Sequence, residues 1–168
     1  MNDLERLVAI EGLRSLQARY VRYADAGDWR ALAGLFLPDA QFTPYGMDGR
    51  PQMVMTGPAE IEQRVSGTVG SGTARHHLFS YEIDVDSLVQ ARGLWAMEDW
   101  IDRGDFVPAA GDSEQARGLQ AADNLEEPGR PFRTMHGYGY YQVVYRKVDG
   151  LWFIADLKLF RTQLDFTY

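Results

Sequence analysis

Along the first thirty residues the apolar positions recur every three or four places. Ile10, Leu13, Leu16, Tyr20, Tyr23 and Ala24 share one face, which predicts an amphipathic helix. "GD" at 27–28 breaks the pattern, and Asp28 is a suitable N-cap for a second helix, "WRALAGLFL", ended by Pro38. "AQFTPYG" reads as a short strand, followed by the turn "MDG" and by "RPQMVMTG". Gly57 and Pro58 open a third helix, "PAEIEQRVSG", with proline where its missing N–H costs least. After the loop "GTVGSG" come three strand-like runs, "HHLFSYEIDVD", "QARGLWAMEDWID" and "YGYYQVVYRK". A fourth, "LWFIADLKLF", follows the turn "VDG".

Helices first and hairpin-joined strands afterwards imply one α+β domain over residues 1–168. A strongly curved, mainly antiparallel sheet would wrap around the N-terminal helices. The strands are rich in large rings (Trp95, Trp100, Tyr138, Tyr140, Tyr141, Trp152 and Phe153), which a concave sheet can hold while keeping a pocket. Residues 104–133 interrupt the strand run with a polar stretch rich in Gly, Pro and acids. It is too long for a simple hairpin loop and predicts a lid or an interface element.

Composition narrows the function classes. The formal net charge is −7, from 17 basic and 24 acidic residues, and no Lys/Arg run interrupts it, so a nucleic-acid partner is not expected. The absence of cysteine excludes disulfides, thiolate zinc sites and a Cys nucleophile. No segment approaches the ~18 consecutive apolar residues of a membrane span. The first twenty residues are charged throughout, unlike a signal peptide, so a cytoplasmic protein without a membrane partner is the expectation. A G-x-S-x-G elbow is absent, "GTVGSG" lacks the lysine of a phosphate loop, and no helical histidine pair is present. Neither a metal nor another cofactor is expected.

What remains is acid–base chemistry. Asp25 ends the first helix beside its apolar stripe, where the helix dipole disfavours an acid; it is either a solvated C-terminal residue or one half of a pair. Two of the three histidines, His76 and His77, stand together where a strand begins, and regular alternation turns them to opposite faces. The face of His77 continues through Phe79, Tyr81, Ile83 and Val85, so alternation alone sends His77 inward. A bulge would reverse the choice. Asp99 shares the face of Trp95, Met97 and Ile101 and needs a hydrogen-bonded partner there. His136, Tyr138 and Tyr140 share one face of a later strand, either as core or as pocket wall.

The segments "YADAGDWRALAGLFLPDAQF", "TGPAEIEQRV", "RHHLFSYEIDVD" and "GYGYYQVVYRKVDGLWFIADLKL" resemble the SnoaL-like branch of the nuclear-transport-factor-2-like superfamily over nearly the whole chain. The resemblance implies a cone-shaped α+β barrel around an apolar pocket. It also implies an Asp–His pair in which Asp25 orients His76 as general base, with the bulge placed at the strand entrance. Tyr20 then falls at a catalytic tyrosine position and Asp99 at that of a further acid. Tyr23, His77, Trp95, Asp99, His136, Tyr138 and Tyr140 are the expected substrate contacts. The implied activity is a cofactor-independent lyase acting on a small hydrophobic, aromatic or polycyclic substrate, by dehydration or loss of a small fragment. An isomerase or cyclase in the same pocket and a non-catalytic binding module are the alternatives, and a homo-oligomer is implied throughout.

Overall fold

The computed structural model describes residues 1–104 and 132–168. Three helices, α1 (Asp3–Ala26), α2 (Trp29–Ala33) and α3 (Gly57–Val69), pack on one side of a six-stranded sheet. Its strands are β1 (Phe36–Pro44), β2 (Met55–Thr56), β3 (Thr73–Val85), β4 (Gln90–Asp102), β5 (Thr134–Val148) and β6 (Leu151–Thr167), in the order β2-β1-β6-β5-β4-β3. All neighbours are antiparallel except β1 and β6, so the sheet is mainly antiparallel and does not close. The proposed lid or interface segment, 104–133, lies outside the described residues except for its ends.

α1 is set by its ends. Asn2 and Glu5 form a reciprocal capping box, and Gly27 closes the helix in the left-handed region at φ 68°. Its inner stripe, Ala9, Leu13, Leu16, Gln17, Tyr20 and Ala24, is buried against the sheet. Each large apolar side chain so buried contributes about 1.5–3 kcal/mol.

The second helix is shorter than the pattern predicts. It stops at Ala33, and Phe36–Pro44 is a strand that contains Pro38. The β1–β6 ladder shifts register between Phe36 and Gln41, so Pro38 occupies a stretch where no regular ladder requires its missing N–H. β6 runs to Thr167, well beyond the expected end at Phe160. Two bulges bend it, with Ala155 and Thr162 as the extra residues opposite β5.

A third bulge decides the histidines. On β3, Phe79 and Ser80 together oppose Ala96, because Leu78 pairs with Met97 and Tyr81 with Trp95. Before the bulge Ala74, His76 and Leu78 turn to the inner face; after it Ile83 and Val85 do, with the half-exposed Tyr81 ring against Trp95. The inward set therefore changes parity within one strand. His76 points in and His77 points out. Alternation alone had assigned them the other way, and the bulge expected at the strand entrance lies within the strand, between Leu78 and Tyr81.

Candidate active site

The concave face and the helices enclose a cavity of about 100 Å³. Tyr20 and Ala24 of α1, Trp29 of α2, and Val65, Thr68 and Val69 of α3 roof it. Its floor is mainly Phe42, His76, Asp99, Ile101, Met135, Tyr141, Leu159 and Arg161. Most of these side chains are apolar, so the few polar groups stand in a dry setting where electrostatic interactions are strong.

Asp25 sits in the last turn of α1, which has no basic residue of its own. Its Oδ1 lies 2.7 Å from Nδ1 of His76, and the His76 side chain is 11% exposed against 29% for Asp25. An acid set against the helix dipole thus finds its partner on β3. Because Nδ1 meets the carboxylate, the second ring nitrogen, Nε2, is the one left for chemistry.

One row of the sheet builds the rest. His76 pairs with Asp99 on β4, Asp99 with Gly137 on β5, and Gly137 with Leu164 on β6. Arg161 crosses this row and grips both oxygens of Asp99, with Nη2 to Oδ2 at 2.6 Å and Nη1 to Oδ1 also hydrogen-bonded. The two side chains are 9% and 4% exposed. Gly137 is what admits the fork. A Cβ there would stand 2.5 Å from Arg161 Nη1 and 2.8 Å from Asp99 Oδ1. Tyr20 completes the polar set. Burial, then the negative charge of Asp99, push its phenol well above the ordinary tyrosine value, so it stays protonated.

The structure therefore brings Asp25, His76, Tyr20 and Asp99 together, and it places the other expected contacts elsewhere. Trp95 faces inward but does not line the cavity. Its Nε1 donates to Tyr145 Oη at 2.8 Å, and Tyr145 donates to Gln17 Oε1 at 2.9 Å, a buried chain that ties β4 and β5 to α1. Tyr23 packs at the core's edge with Arg22 over its ring. His77, His136, Tyr138 and Tyr140 all point out of the sheet, because their positions alternate with the buried residues of β3 and β5. Both His77 and His136 bond Glu98, at 3.2 and 2.6 Å, and Tyr140 stacks on Phe160. The His136 bond, with smaller help from Tyr138 and His77, holds Glu98 below the usual carboxylate range.

Arg161 was not singled out by the sequence, and Tyr141 entered only among the strand aromatics. The signal for Arg161 was the lone acid at 99, which needs a cation, together with the apolar Leu164 and Phe166 that extend the last strand. Among the described residues, no three potential ligands are arranged to hold a metal ion. No helix among them is long and apolar enough to cross a membrane. A second hollow, of about 310 Å³, lies away from the dyad on the outer face and is lined by Glu82, Asp84, Arg92, Asp156 and Lys158. Arg92 there is paired with Asp86, and Lys158 with Asp156.

A family model described as a SnoaL-like domain matches residues 5–158. The chain belongs to the SnoaL-like family. This SnoaL-like chain is similar in fold to several solved structures. A protein provisionally named scytalone dehydratase, from Novosphingobium aromaticivorans, shares 20% identity and a TM-score of 0.70, over 98% of this chain and 91% of that one. A type 2 hexachlorocyclohexane dehydrochlorinase shares 15% identity and a TM-score of 0.68, over 99% and 94%. A protein of unknown function from Mycobacterium tuberculosis shares 22% identity and a TM-score of 0.68, over 97% and 78%. At these identities the likeness establishes the fold, and the chemistry must be argued from the SnoaL-like chain's own residues.

Proposed function

We propose that the protein is a lyase in which His76 is the general base and Asp25 orients it. The observation that carries this reading is the 2.7 Å contact between His76 Nδ1 and Asp25 in the wall of an apolar cavity. Asp25 accepts the Nδ1 hydrogen, which fixes the tautomer and leaves the Nε2 lone pair free to take a proton from a substrate carbon. The electron pair of that C–H bond forms a double bond to the neighbouring carbon as a leaving group departs with its own pair. The imidazolium that results is stabilised by Asp25 through a charge-assisted hydrogen bond. Its proton, or that of Tyr20, neutralises a departing hydroxide as water.

Tyr20 and Asp99, the latter in protonated form, are the two candidates to assist that departure. Both Asp99 oxygens accept from Arg161, which favours Tyr20 as the hydrogen donor. Arg161 supplies positive charge at the cavity floor. Positioned acid–base catalysis contributes roughly 10²–10⁴ in rate, and a donor aimed at developing negative charge about 10²–10³ more. The cavity is on the scale of the ~150 Å³ space that holds benzene, so a neutral substrate of about one ring is favoured over a polycyclic one. The loss of a small carbon fragment would use the same groups.

An isomerase shares the first half of this chemistry and returns the proton to a different carbon. Incubation with small cyclic alcohols, halides and enolisable ketones, followed by product analysis in deuterated water, separates the two. Elimination gives an unsaturated product and a released group; isomerisation gives deuterium incorporation without loss of mass. His76→Asn and Asp25→Asn should each cut turnover by about 10²–10⁴ with the unfolding midpoint nearly unchanged. Near-native turnover in either variant rejects the dyad. Outward-facing Phe79 and Trp100, 58% and 49% exposed, support association of identical chains, which sedimentation would measure.

A further inference from the structure

The hydrophobic interior is in two parts, and the cavity borders both. Helix α3 spans them. Ile61 is buried in the main core, whereas Val69, at the helix end, is buried in a smaller cluster with Ala74, Ile101, Phe132 and Met135. The last carbonyls of a helix have no partner within it. At the end of α3, Gly70 N donates to Ser66 O at 2.8 Å and Gly72 N to Val69 O at 3.1 Å. Thr68 O is answered from the sheet. Arg103, which directly follows β4 and is 5% exposed, donates to it through Nε at 3.0 Å and also through Nη2. The last turn of α3 has no basic residue of its own, so this guanidinium supplies positive charge at the helix's negative end. The guanidinium carbon also lies 3.9 Å from the centre of the Phe132 ring, and Arg103 N donates to Arg133 O at 2.9 Å. Gly72 admits this close approach, because a Cβ there would stand 2.8 Å from Arg103 Cα. Thr68, Val69 and Phe132 all line the cavity.

We propose that Arg103 is a positioning residue that clamps the end of α3 to the sheet, and that this clamp restricts the cavity to substrates of one ring, excluding two fused rings. The inference rests on the reading that substrate occupies this cavity, but not on which bond breaks there.

The direction of the effect follows from what the clamp satisfies. Without Arg103, Thr68 O loses both of these donors, and an unpaired buried carbonyl carries a desolvation cost that hydration recovers. Water reaches that oxygen when the helix end lifts from the sheet, and the lift widens the cavity beside Thr68, Val69 and Phe132. Little else resists it. The smaller cluster has five buried members among the described residues, whereas the main core holds the other half of α3 through Ile61 and Val65. A lysine at 103 would keep the charge but lacks the planar fork that serves Thr68 O and the Phe132 ring together.

Binding separates positioning from mere support of the fold. The full-length wild type, Arg103→Met and Arg103→Lys are titrated calorimetrically with phenol and with 2-naphthol, at neutral pH and well below their unfolding temperatures. The wild type should bind phenol and should take 2-naphthol no more tightly. In Arg103→Met the ratio of the two affinities should move toward 2-naphthol by about tenfold or more, the gain from burying roughly two further ring carbons. Arg103→Lys should fall between. A residue that only supports the fold would lower both affinities together and leave their ratio where it was. An unchanged ratio in Arg103→Met, or in Arg103→Lys if only that variant folds, overturns the proposal. So does a wild type that already prefers 2-naphthol by that factor, or the failure of both variants to fold. A wild type that binds neither ligand overturns the cavity reading and this proposal with it. The lyase reading fails differently, through missing elimination products while the size selectivity stays intact.

Discussion

Replacing Arg161 alone should be far more damaging than replacing both members of its pair. In Arg161→Met the Asp99 carboxylate, 4% exposed, loses both donors of the fork in a site that water hardly reaches. Breaking a buried ion pair in this way costs about 3–5 kcal/mol. For a domain of this size each kcal/mol shifts the unfolding midpoint by about 2–4 °C, so a fall of roughly 6–20 °C is expected. In the double variant Asp99→Leu, Arg161→Met no charge is stranded, and exchange of a buried pair for apolar side chains of similar volume is close to neutral or stabilising. Urea denaturation of the wild type, Arg161→Met, Asp99→Leu and the double variant, with slopes compared to confirm equal exposed surface, gives the coupling energy directly. The double variant should regain most of the stability but not the activity. If the single variant is as stable as the double, the pair is screened by solvent and the account of a dry cavity floor is wrong.

Gly137→Ala tests the same fork from the backbone side. A methyl 2.5 Å from Arg161 Nη1 must displace it, which should cost about 1–3 kcal/mol and lower turnover; a variant with the native melting point would show that the fork moves freely. Acid stability is expected to depend on Glu98 on the outer face. Its folded pKa lies below its ordinary value of 4.5, so its contribution is complete above that value and is lost as pH falls through the lower folded one. Glu98→Gln should therefore flatten the fall of the melting point below about pH 4.5, read by circular dichroism; an unchanged acid profile would remove the cluster's role.

Much of the scaffold was legible because its signals are local. The three-and-four spacing before Gly27, the proline at the start of α3 and the strand run "QARGLWAMEDWID" each correspond to an element with nearly the expected bounds. The misplacements share a different cause. A bulge adds one residue without any local marker, and it reverses every side chain beyond it. That is why Ile83 and Val85 misdirected the choice between His76 and His77, and why the inward positions of β6 could not be followed past Thr162. Pro38 marked an end to helix in the sequence, whereas helix had already given way to a strand that tolerates proline through its own register shift. Asp99 advertised a partner, but which arginine answers it depends on a fork threaded over a glycine 38 residues away in sequence, a relation that only the folded sheet reveals. The outward turn of His136, Tyr138 and Tyr140 was hidden because aromatic residues populate both faces of β5.

The chain of Trp95, Tyr145 and Gln17 lies outside the cavity lining, whereas His76 and the Asp99–Arg161 pair lie within it. Cohesion and chemistry are thereby given to different neighbourhoods of a single molecule. Val65 and Val69 of α3, with Leu164 and Phe166 of β6, line the cavity without belonging to the Trp95–Tyr145–Gln17 chain, so a change of their size bears on the cavity rather than on that chain. Such a division lets one architecture accept new guests while its foundation stays the same.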